Sequence, residues 1–360
     1  MLIFVNNFKL FPLQKFQSLK IINLIEETAN AVSITFDVPK NLKNDYSFRS
    51  GQYVTLRAKI KGDLVVRSYS ICSSPKSGLL TVAIKAIEKG LFSNYANEAL
   101  RLGDELEVSL PEGRFVFDND QSKKTFFGIA TGSGITPISS ILKDTLISNT
   151  NSEFILLYGN KSIADTMFHS EIEKLKIDYK NRFFCYNIYS KENNANSMYG
   201  RIDSSIVDSC LKNHPDLSFD KFFICGPEEL TLLLSNELEK LGYQKNKILF
   251  ELFFSKSETE AEANVSSEET LAKITCDYED FKISVPKNMT LLDAALNQKV
   301  DVPYSCQGGV CSSCIGKITE GSAKMLQNNI LSAEEIEEGL ILACQAIPTT
   351  SSISIDFDDV

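Results

Sequence analysis

The stretch Tyr304-Ser305-Cys306-Gln307-Gly308-Gly309-Val310-Cys311-Ser312-Ser313-Cys314 places three cysteines within nine residues, and Cys344 follows after 29 more. This C-x4-C-x2-C spacing with a distant fourth cysteine is typical of four thiolates around the two irons of a 2Fe-2S cluster. Gly308 and Gly309 suit such a loop, because wrapping an inorganic core requires close backbone approach and positive φ angles. The alternatives are a zinc site, which prefers paired C-x2-C knuckles, and four unrelated buried thiols. Three thiols around a Gly-Gly turn favour the cluster.

Length and composition limit what can surround this stretch. A chain of 360 residues exceeds one ordinary core and predicts two or three domains. Apolar residues make up 43% and charged residues 23% of the chain, as in globular proteins. The sequence lacks an apolar run of the roughly 18 residues that a membrane helix needs, and residues 1–5 lack the basic flank of a signal peptide. We therefore expect an unanchored cytoplasmic protein with no membrane span.

The charge is unevenly distributed. The net charge of −10 disfavours nucleic acid as a partner, because phosphate binding needs clustered Lys and Arg. Residues 1–255 carry 30 Lys+Arg and 29 Asp+Glu, whereas residues 256–360 carry 7 and 18. The nine cysteines, an odd number with one cluster, fit metal ligation in a reducing compartment better than a disulfide framework.

Apolar periodicity divides the chain. The first 110 residues alternate apolar and polar residues in short β-branched runs, which predicts a small antiparallel barrel with one helix at residues 93–102. The predicted strands of the barrel are residues 19–25, 31–38, 52–60, 64–71, 79–87 and 105–110. From Lys123 the pattern alternates strands with helices, which predicts a parallel sheet of the nucleotide-binding type with helices on both faces. Its predicted strands are 125–130, 154–158, 182–189, 221–225 and 247–254, and its predicted helices are 135–147, 163–175, 203–211 and 228–241.

A polar segment follows the predicted sheet. Residues 255–270 are rich in Ser, Glu, Ala and Asn and contain a single large apolar residue, Val265, so they cannot bury enough surface to fold. The predicted organisation is a barrel domain at 1–120, a nucleotide domain at 121–254, a linker at 255–270 and a last domain at 271–360. Thr290 with Asp293 and Ser332 with Glu335 predict capping boxes of two short helices in the last domain.

The cysteine stretch, together with Ala343-Cys344-Gln345, resembles the C-terminal ferredoxin domain of oxygenase reductases, notably those of the phenylacetyl-CoA epoxidases. That family combines a flavin-binding barrel and a nucleotide domain of the ferredoxin–NADP reductase superfamily with a plant-type ferredoxin. The resemblance implies an α+β (β-grasp) ferredoxin domain in which Cys306, Cys311, Cys314 and Cys344 hold the 2Fe-2S cluster.

A second motif lies in the predicted barrel, at Arg67-Ser68-Tyr69-Ser70. Alternation along a strand places the guanidinium and the Tyr ring on one face, where the charge can pair with a phosphate and the ring can pack on a flavin. The same tetrapeptide binds flavin in the ferredoxin–NADP reductase superfamily. The resemblance implies that Arg67 holds the flavin phosphate, that Tyr69 packs against the flavin and that Ser70 hydrogen-bonds near N5.

Gly90-Leu91-Phe92-Ser93 stands where the barrel helix is expected to begin. A helix N-terminus offers unpaired N–H groups to an anion, and the Ser93 hydroxyl can add a further hydrogen bond. The spacing of Gly90 and Ser93 from the first motif supports FAD, and the segment 111–115, which ends at Phe115, is similar to that of FAD-using relatives. FMN, which phthalate dioxygenase reductase uses, is the alternative.

The nicotinamide motifs follow the strands of the predicted parallel sheet. Two glycines in Ala130-Thr131-Gly132-Ser133-Gly134-Ile135-Thr136-Pro137 allow the backbone to approach a pyrophosphate, and Pro137 suits a first helical turn. The pattern is the GxGxxP of the reductase superfamily and not the GxGxxG of dehydrogenases. The resemblance makes Thr131, Gly132, Gly134 and Pro137 binding residues. It also places Cys225 of Cys225-Gly226-Pro227 beside the nicotinamide, with Gly226 and Pro227 as cofactor contacts.

Two further segments bear on the choice of cofactor. Tyr189-Ser190-Lys191-Glu192 resembles a family segment with Ser-Arg-Glu, and Lys161 also stands where relatives have Arg. A lysine can neutralise a 2′-phosphate as a point charge but cannot form the bidentate fork, so Ser190 and Lys191 favour NADPH weakly over NADH. Glu251 of Glu251-Leu252-Phe253 resembles the Glu-x-Phe that closes the flavin site.

Together the motifs predict a reductase that passes electrons from NAD(P)H to FAD, to the 2Fe-2S cluster and then to an oxygenase, with Tyr69, Ser70 and Cys225 at the site of hydride transfer. The alternatives are a subunit that feeds a dehydrogenase or desaturase, and a non-catalytic redox sensor. The last domain carries 13 Asp+Glu against 6 Lys. We therefore expect the oxygenase partner to present a basic docking patch to it. The acidic residues of one predicted helix in that domain are Glu334, Glu335, Glu337 and Glu338.

Overall fold

The computed structural model describes residues 16–116, 122–252, 269–276, 278–300, 302–304, 307–309 and 312–360. In these ranges no helix combines the length and the apolar character needed to cross a membrane. Three regions, each built on its own sheet, follow one another along the chain. We call residues 16–116 the barrel, 122–252 the parallel-sheet region and 269–360 the C-terminal region.

The barrel is one antiparallel sheet of six strands in the order β4-β3-β6-β1-β2-β5. Its strands are β1 (Phe16–Thr28), β2 (Ala31–Asp37), β3 (Tyr53–Ile60), β4 (Asp63–Ser70), β5 (Leu80–Lys85) and β6 (Glu105–Ser109). A bridge between Ile71, just after β4, and Val82 of β5 brings the two edges of the sheet together. Alternate β-branched and aromatic residues of β2, including Ile34 and Phe36, fill the interior. The antiparallel barrel is confirmed as a curled sheet.

One helix, α1 (Leu91–Glu98), packs into the barrel core with Phe92 and Ala96 buried. It begins two residues before the predicted residue 93 and ends four before 102. The early start has a local cause, because Gly90 is the N-cap.

The parallel-sheet region contains six strands in the order β10-β9-β8-β7-β11-β12. The strands are β7 (Thr125–Thr131), β8 (Glu153–Asn160), β9 (Phe183–Tyr189), β10 (Met198–Tyr199), β11 (Lys221–Gly226) and β12 (Ile248–Leu252). All neighbouring pairs are parallel. The predicted last strand, 247–254, is described only as far as Leu252, because residues 253 and 254 lie outside the described residues.

Helices cover both faces of this sheet, as the alternation of apolar runs predicted. The four helices are α2 (Ile135–Ser148), α3 (His169–Asp178), α4 (Ser204–Lys212) and α5 (Glu228–Lys240). Phe126 of β7 faces the core shared with α2 and α3, whereas its neighbour Phe127 faces the core shared with α4 and α5. The predicted helix at 163–175 is in fact a short 3-10 turn followed by α3, because Phe168 adopts a left-handed φ of 58° between them.

The order of the strands creates a crevice. Successive strands β7, β8 and β9 run to one side of the sheet, and β11 then lies on the other side of β7. The connections therefore diverge between β7 and β11. The carboxyl ends of two such strands flank the usual ligand crevice of an open α/β sheet.

The C-terminal region has a mixed five-stranded sheet, β14-β13-β19-β15-β17, and a separate pair of β16 with β18. Its elements are β13 (Glu269–Cys276), β14 (Glu279–Pro286), α6 (Leu291–Asn297), β15 (Ile315–Glu320), β16 (Ala323–Met325), α7 (Ala333–Glu337), β17 (Leu340–Leu342), β18 (Ala346–Pro348) and β19 (Ser352–Asp356). Four buried residues of α6 pack into the core of this region. The arrangement is the predicted β-grasp fold.

The two helix starts predicted from capping signals are present. At α7 the Ser332 side chain accepts from the Glu335 N–H and the Glu335 side chain accepts from the Ser332 N–H, a complete capping box. At α6 the Thr290 hydroxyl accepts from the Asp293 N–H at 3.1 Å.

Candidate functional site

The first candidate motif lies at the end of β4, where burial increases from the exposed Arg67 through the half-buried Tyr69 to the buried Ser70. The Arg67 side chain is exposed and donates from Nη1 to the Val66 carbonyl at 2.7 Å. The Tyr69 ring lies 5.6 Å from the Phe92 ring, centroid to centroid. Because Phe92 belongs to the first turn of α1, this contact brings the β4 motif and the helix N-terminus together, as the two motifs predicted.

The N-terminus of α1 is shaped by a tight turn. Gly90 caps the helix without a side-chain hydrogen bond, and the Ser93 hydroxyl accepts from the Ile87 N–H at 3.3 Å. A Cβ on Gly90 would lie 2.3 Å from Ser93 Oγ and 2.5 Å from Ile87 Cγ1, so glycine is required here. The first-turn N–H groups of a helix lack intrahelical partners, which suits them to a phosphate.

Tyr69 stays neutral at ordinary pH. Burial raises the pKa of its hydroxyl, and the nearby Arg67 charge only partly opposes that rise. The ring is therefore an uncharged aromatic surface beside an exposed guanidinium, which is the combination that a flavin with a phosphate tail requires.

Three functional groups converge where the barrel meets the parallel sheet. Ser70, 4% exposed, donates from its hydroxyl to Glu251 Oε2 at 3.1 Å. Glu251 of β12 is the register partner of Cys225 of β11. A hydroxyl, a carboxyl and a thiol from two regions thus lie side by side at the crevice.

The acidity of this group is strongly perturbed. Burial raises the pKa of Glu251 to about 7, and the hydrogen bond from Ser70 limits the rise. Burial also raises the pKa of the Cys225 thiol, with a further contribution from the Glu251 charge. Glu251 can therefore gain or lose a proton near neutral pH, whereas Cys225 remains a thiol.

The glycine motif forms a 3-10 turn (Gly132–Gly134) between β7 and α2. Gly132 has a φ of +54° with open space where a Cβ would stand, and a Cβ on Gly134 would lie 2.1 Å from the Cys225 carbonyl oxygen. Pro137 lies in the first turn of α2, as predicted. The Tyr158 hydroxyl donates to the Gly132 carbonyl at 3.2 Å and steadies the turn.

A polar group without a partner marks the carboxyl edge of the sheet. Thr131 Oγ1 is buried, and within the described ranges it forms no hydrogen bond. A Cβ on Gly226 would lie 2.2 Å from Thr131 Oγ1, and Pro227 caps α5 directly after it. Since buried polar groups are normally satisfied, this hydroxyl at the end of β7 fits a polar ligand in the crevice.

Ser190 and Lys191 continue the same edge beyond β9. Their N–H groups donate to the carbonyls of Asn160 at 3.0 Å and Lys161 at 2.9 Å. Both lysine side chains are exposed, so two cations occupy neighbouring segments. The structure thus brings together the two positions where the family pattern has arginine.

Phe115 takes a different position from the other predicted flavin contacts. Its side chain is buried, and its ring packs edge-on against Phe223 of β11 with centroids 5.6 Å apart. The ring belongs to the core that the barrel shares with the parallel-sheet region. It helps fix the angle between the two regions.

Two of the four predicted cluster ligands lie in the described residues. Cys314 is 1% and Cys344 5% exposed, and the Ala343 N–H donates to the Cys314 carbonyl at 2.9 Å. Gln345 donates from Nε2 to the Gln307 carbonyl at 3.1 Å and so fastens the loop to the strand end. Cys306 and Cys311 lie outside the described residues.

The glycine prediction for this loop is half correct. Gly309 has the expected positive φ, 73°, but the second positive φ belongs to Gln307, at 55°. A Cβ on Gly309 would lie 2.9 Å from Gln345 Cγ. Two buried thiol-bearing segments, at Cys314 and Cys344, with the left-handed residues Gln307 and Gly309 beside Gln345, are the environment that a thiolate-held cluster needs.

Sequence reasoning missed the residues that join the C-terminal region to the others. The Tyr53 hydroxyl lies 2.7 Å from Ser313 Oγ, Gln327 Nε2 donates to Glu228 at 3.2 Å, and Arg114 forms an ion pair with Glu335. Of the four acidic residues predicted on one helix, Glu335 is thus paired within the chain.

Three family models match consecutive parts of the chain. They are an oxidoreductase FAD-binding domain at residues 18–117, an oxidoreductase NAD-binding domain at 129–236 and a 2Fe-2S iron-sulfur cluster binding domain at 274–349. The first and third coincide with the barrel and the C-terminal region, and the second with the crevice and its helices.

Relatives match along nearly the whole chain. The chain is 37% identical over 348 residues to a 1,2-phenylacetyl-CoA epoxidase component of Escherichia coli K12, covering 95% of this chain and 98% of that one. It is 32% identical over 344 residues to a 3-ketosteroid-9-alpha-monooxygenase ferredoxin reductase component of Rhodococcus rhodochrous, with 93% and 95% covered. The solved structure of phthalate dioxygenase reductase has the same fold, with a TM-score of 0.59, 22% identity and 95% and 98% covered.

Proposed function

The chain belongs to the oxygenase reductases that join an FAD-binding, an NAD-binding and a 2Fe-2S domain, and we propose that the oxygenase it serves is of the phenylacetyl-CoA epoxidase kind. The observation that carries this choice is the 37% identity across almost all of both chains. A 3-ketosteroid monooxygenase is the second candidate, supported by 32% identity over a similar span.

The residues of the barrel fit FAD. We assign the pyrophosphate to Arg67, the N–H groups after Gly90 and the Ser93 hydroxyl, because the Tyr69–Phe92 contact brings the strand that carries Arg67 next to the first turn of α1. Tyr69 would pack against the isoalloxazine. Phe115 would act through its backbone, since its ring is committed to Phe223.

The residues of the crevice fit a dinucleotide. We assign its pyrophosphate to the turn of Thr131, Gly132 and Gly134 at the start of α2, where Pro137 costs no helical hydrogen bond. Gly226 and Pro227 would line the other wall, because only a residue without Cβ leaves room for Thr131 Oγ1. The unpaired Thr131 hydroxyl supports this assignment.

Ser70, Cys225 and Glu251 are the residues we assign to hydride transfer. When bound, NAD(P)H supplies a hydride, FAD divides the electron pair, and the 2Fe-2S cluster passes single electrons onward. The Ser70 hydroxyl donates to Glu251 and, with FAD bound, would offer that hydrogen to a flavin nitrogen instead. Cys225 keeps its proton and leaves a small apolar surface for the nicotinamide ring. Glu251, with a pKa of about 7, can hold or release a proton at that place.

For the nicotinamide cofactor we propose NADPH over NADH. Lys161 and Lys191 are exposed on adjacent segments of the carboxyl edge, and Ser190 lies beside them. Two ammonium groups can neutralise a 2′-phosphate without the bidentate geometry of arginine.

The acidic surface of the C-terminal region supports a partner with a basic docking patch. Glu334, Glu337 and Glu338 are exposed at and next to α7, beside the exposed apolar side chain of Ile336. Brief electron-transfer encounters favour charge complementarity over large apolar interfaces. A cytoplasmic location, as the clustered cysteines indicated, remains part of this proposal.

The domain bounds 1–120, 121–254 and 271–360, with a linker at 255–270, also remain a proposal. The three family matches, at 18–117, 129–236 and 274–349, all lie inside these bounds. Limited proteolysis should cut first within 255–270, and a first cut elsewhere would contradict the linker.

The test uses the purified chain with the oxygenase subunits of a phenylacetyl-CoA epoxidase. Acid release should give FAD and about two irons per chain, and NADPH should drive epoxide formation only when both proteins are present. Cys314→Ser should keep NADPH-driven ferricyanide reduction but lose epoxide formation. Turnover with a 3-ketosteroid oxygenase alone would favour the second candidate, and one zinc without labile sulfide would overturn the cluster assignment.

A further inference from the structure

The C-terminal region meets the rest of the chain through polar contacts. Among the described residues its apolar core contains no residue of the barrel or the parallel-sheet region, whereas those two regions share one apolar core. The Arg114–Glu335 ion pair lies near the surface, with 48% and 27% of the two side chains exposed. Exposed ion pairs contribute little to affinity.

The contact between Tyr53 and Ser313 differs from the ion pair in burial and in position. Tyr53 is 4% exposed, and its hydroxyl lies 2.7 Å from Ser313 Oγ and 3.4 Å from Ser312 Oγ. Ser313 immediately precedes Cys314, a predicted cluster ligand. The hydroxyl therefore touches the chain beside the cluster and not a remote part of the C-terminal region.

Tyr53 is also tied to the flavin strand. It is the register partner of Ser70 in the β3–β4 pair, so the docking residue and the flavin motif occupy directly opposed positions, about 5 Å apart. Its N–H and carbonyl exchange hydrogen bonds with Glu112 at 2.8 and 2.9 Å. Its ring packs on Gly113, where a Cβ would lie 3.0 Å from Tyr53 Cδ1. The direction of the side chain is thereby fixed.

We propose that Tyr53 is a positioning residue whose hydroxyl, bonded to Ser313, holds the cluster-binding loop against the flavin strands and sets the rate of internal electron transfer. The inference rests on the proposed function. The rate of transfer between two centres falls steeply with their separation, and misplacement by about 1 Å can cost a reaction about a hundredfold. A half-buried hydrogen bond at the loop is suited to fix that separation while leaving the region able to detach.

The test compares Tyr53→Phe, Ser313→Ala and the double variant with Tyr46→Phe. Tyr46 is a matched control, because it is a buried barrel tyrosine whose hydroxyl donates to Val108 within the barrel, at 2.7 Å. In stopped-flow reduction by NADPH, the flavin should bleach at the wild-type rate in every variant. Reduction of the cluster should slow about fivefold in Tyr53→Phe and Ser313→Ala, as the loss of one hydrogen bond predicts, and no further in the double variant.

A second measurement does not depend on turnover. Hydrogen exchange of the peptide that spans residues 312–316 should be several-fold faster in Tyr53→Phe and Ser313→Ala than in the wild type and Tyr46→Phe. If Tyr53→Phe and Ser313→Ala both show the wild-type rates of cluster reduction and of hydrogen exchange, the positioning role is overturned while the proposed function stays intact. Additive effects in the double variant would likewise overturn it. Failure of NADPH to reduce the wild-type flavin would instead overturn the proposed function.

Discussion

The Glu251→Gln variant tests the electrostatics of the crevice directly. Burial raises the pKa of Glu251 from 4.5 to about 7 in the folded chain, so the folded state holds this proton more tightly than the unfolded state. At about 1.4 kcal/mol per pKa unit, ionising the carboxyl in the folded state costs about 3 kcal/mol. The sign follows from linkage: this cost is absent below pH 4.5, grows as pH rises, and is complete above pH 7.

Glutamine keeps the acceptor for Ser70 but carries no charge, so Glu251→Gln should remove the cost. We expect the variant to melt at nearly the wild-type temperature at pH 5 and about 6 °C or more above it at pH 8, since about 3 kcal/mol is gained in a unit of this size. The assay is calorimetry of FAD-free protein between pH 5 and 8.5, in which the melting of the barrel and the parallel-sheet region is followed. Ser70→Ala is the opposing control. Without the donated hydrogen bond the pKa of Glu251 should rise further, so the loss of stability should occur at higher pH than in the wild type.

The result that refutes the reasoning is specific. A melting difference between wild type and Glu251→Gln that is the same at pH 5 and pH 8 would mean that the carboxyl has an ordinary pKa. A variant that is less stable at pH 8 would mean that the ionised carboxylate has a favourable partner in the folded chain.

Three further outcomes can be measured. Gly134→Ala should lose about 3 kcal/mol of unfolding free energy in urea, because its Cβ would meet a backbone oxygen at 2.1 Å. Gly132→Ala has open space for the Cβ but a positive φ and should lose about 1 kcal/mol. Equal losses in the two variants would contradict the packing argument. Lys191→Ala should raise the KM for NADPH about tenfold and leave that for NADH nearly unchanged, and equal changes would make this lysine a solvated surface residue. The rate of electron transfer to the oxygenase should fall as salt is raised, and it should fall less steeply in Glu334→Gln/Glu337→Gln, while the rate of flavin reduction by NADPH stays constant. An intermolecular rate that does not depend on salt would exclude electrostatic steering of the partner.

Local patterns in the sequence predicted most of the architecture. The alternation in β2 and the 3.6-residue periodicity of α2 lie within single elements, so the residues that decide them are neighbours in the chain. The stretches at residues 67–70 and 131–134 lie at the ends of β4 and β7 for the same reason, and their roles as cofactor contacts stay predictions. Gly132 has a positive φ, a Cβ on Gly134 would meet a backbone carbonyl, and a Cβ on Gly90 would meet the side chains of Ser93 and Ile87.

Contacts between distant segments were not predictable in this way. Tyr53 and Ser313 are separated by 260 positions, and although Ser313 lies in the cysteine motif, nothing in that motif indicates a partner in the barrel. The break before α3 depends on a left-handed Phe168 whose N–H donates to Glu27 of the barrel at 3.3 Å. Helical periodicity within residues 163–175 does not indicate such a contact with the barrel. The capping role of Glu335 was predictable from its spacing to Ser332, but its ion pair with Arg114 depends on how two regions meet.

The two carboxylate oxygens of Glu335 accept hydrogen bonds from two different parts of the chain. Oε2 accepts from the Ser332 N–H at the start of α7, at 2.8 Å, and Oε1 accepts from Arg114 of the barrel. The capping of α7 and the contact with the barrel therefore depend on one side chain. By linkage, whatever free energy one interaction adds to or takes from the other is returned in the opposite direction. A protein that draws this carboxylate to its own cation would remove one exposed and weak contact of the C-terminal region and leave the Tyr53–Ser313 contact in place. Arg114 and a cation of an acceptor would therefore compete for one carboxylate.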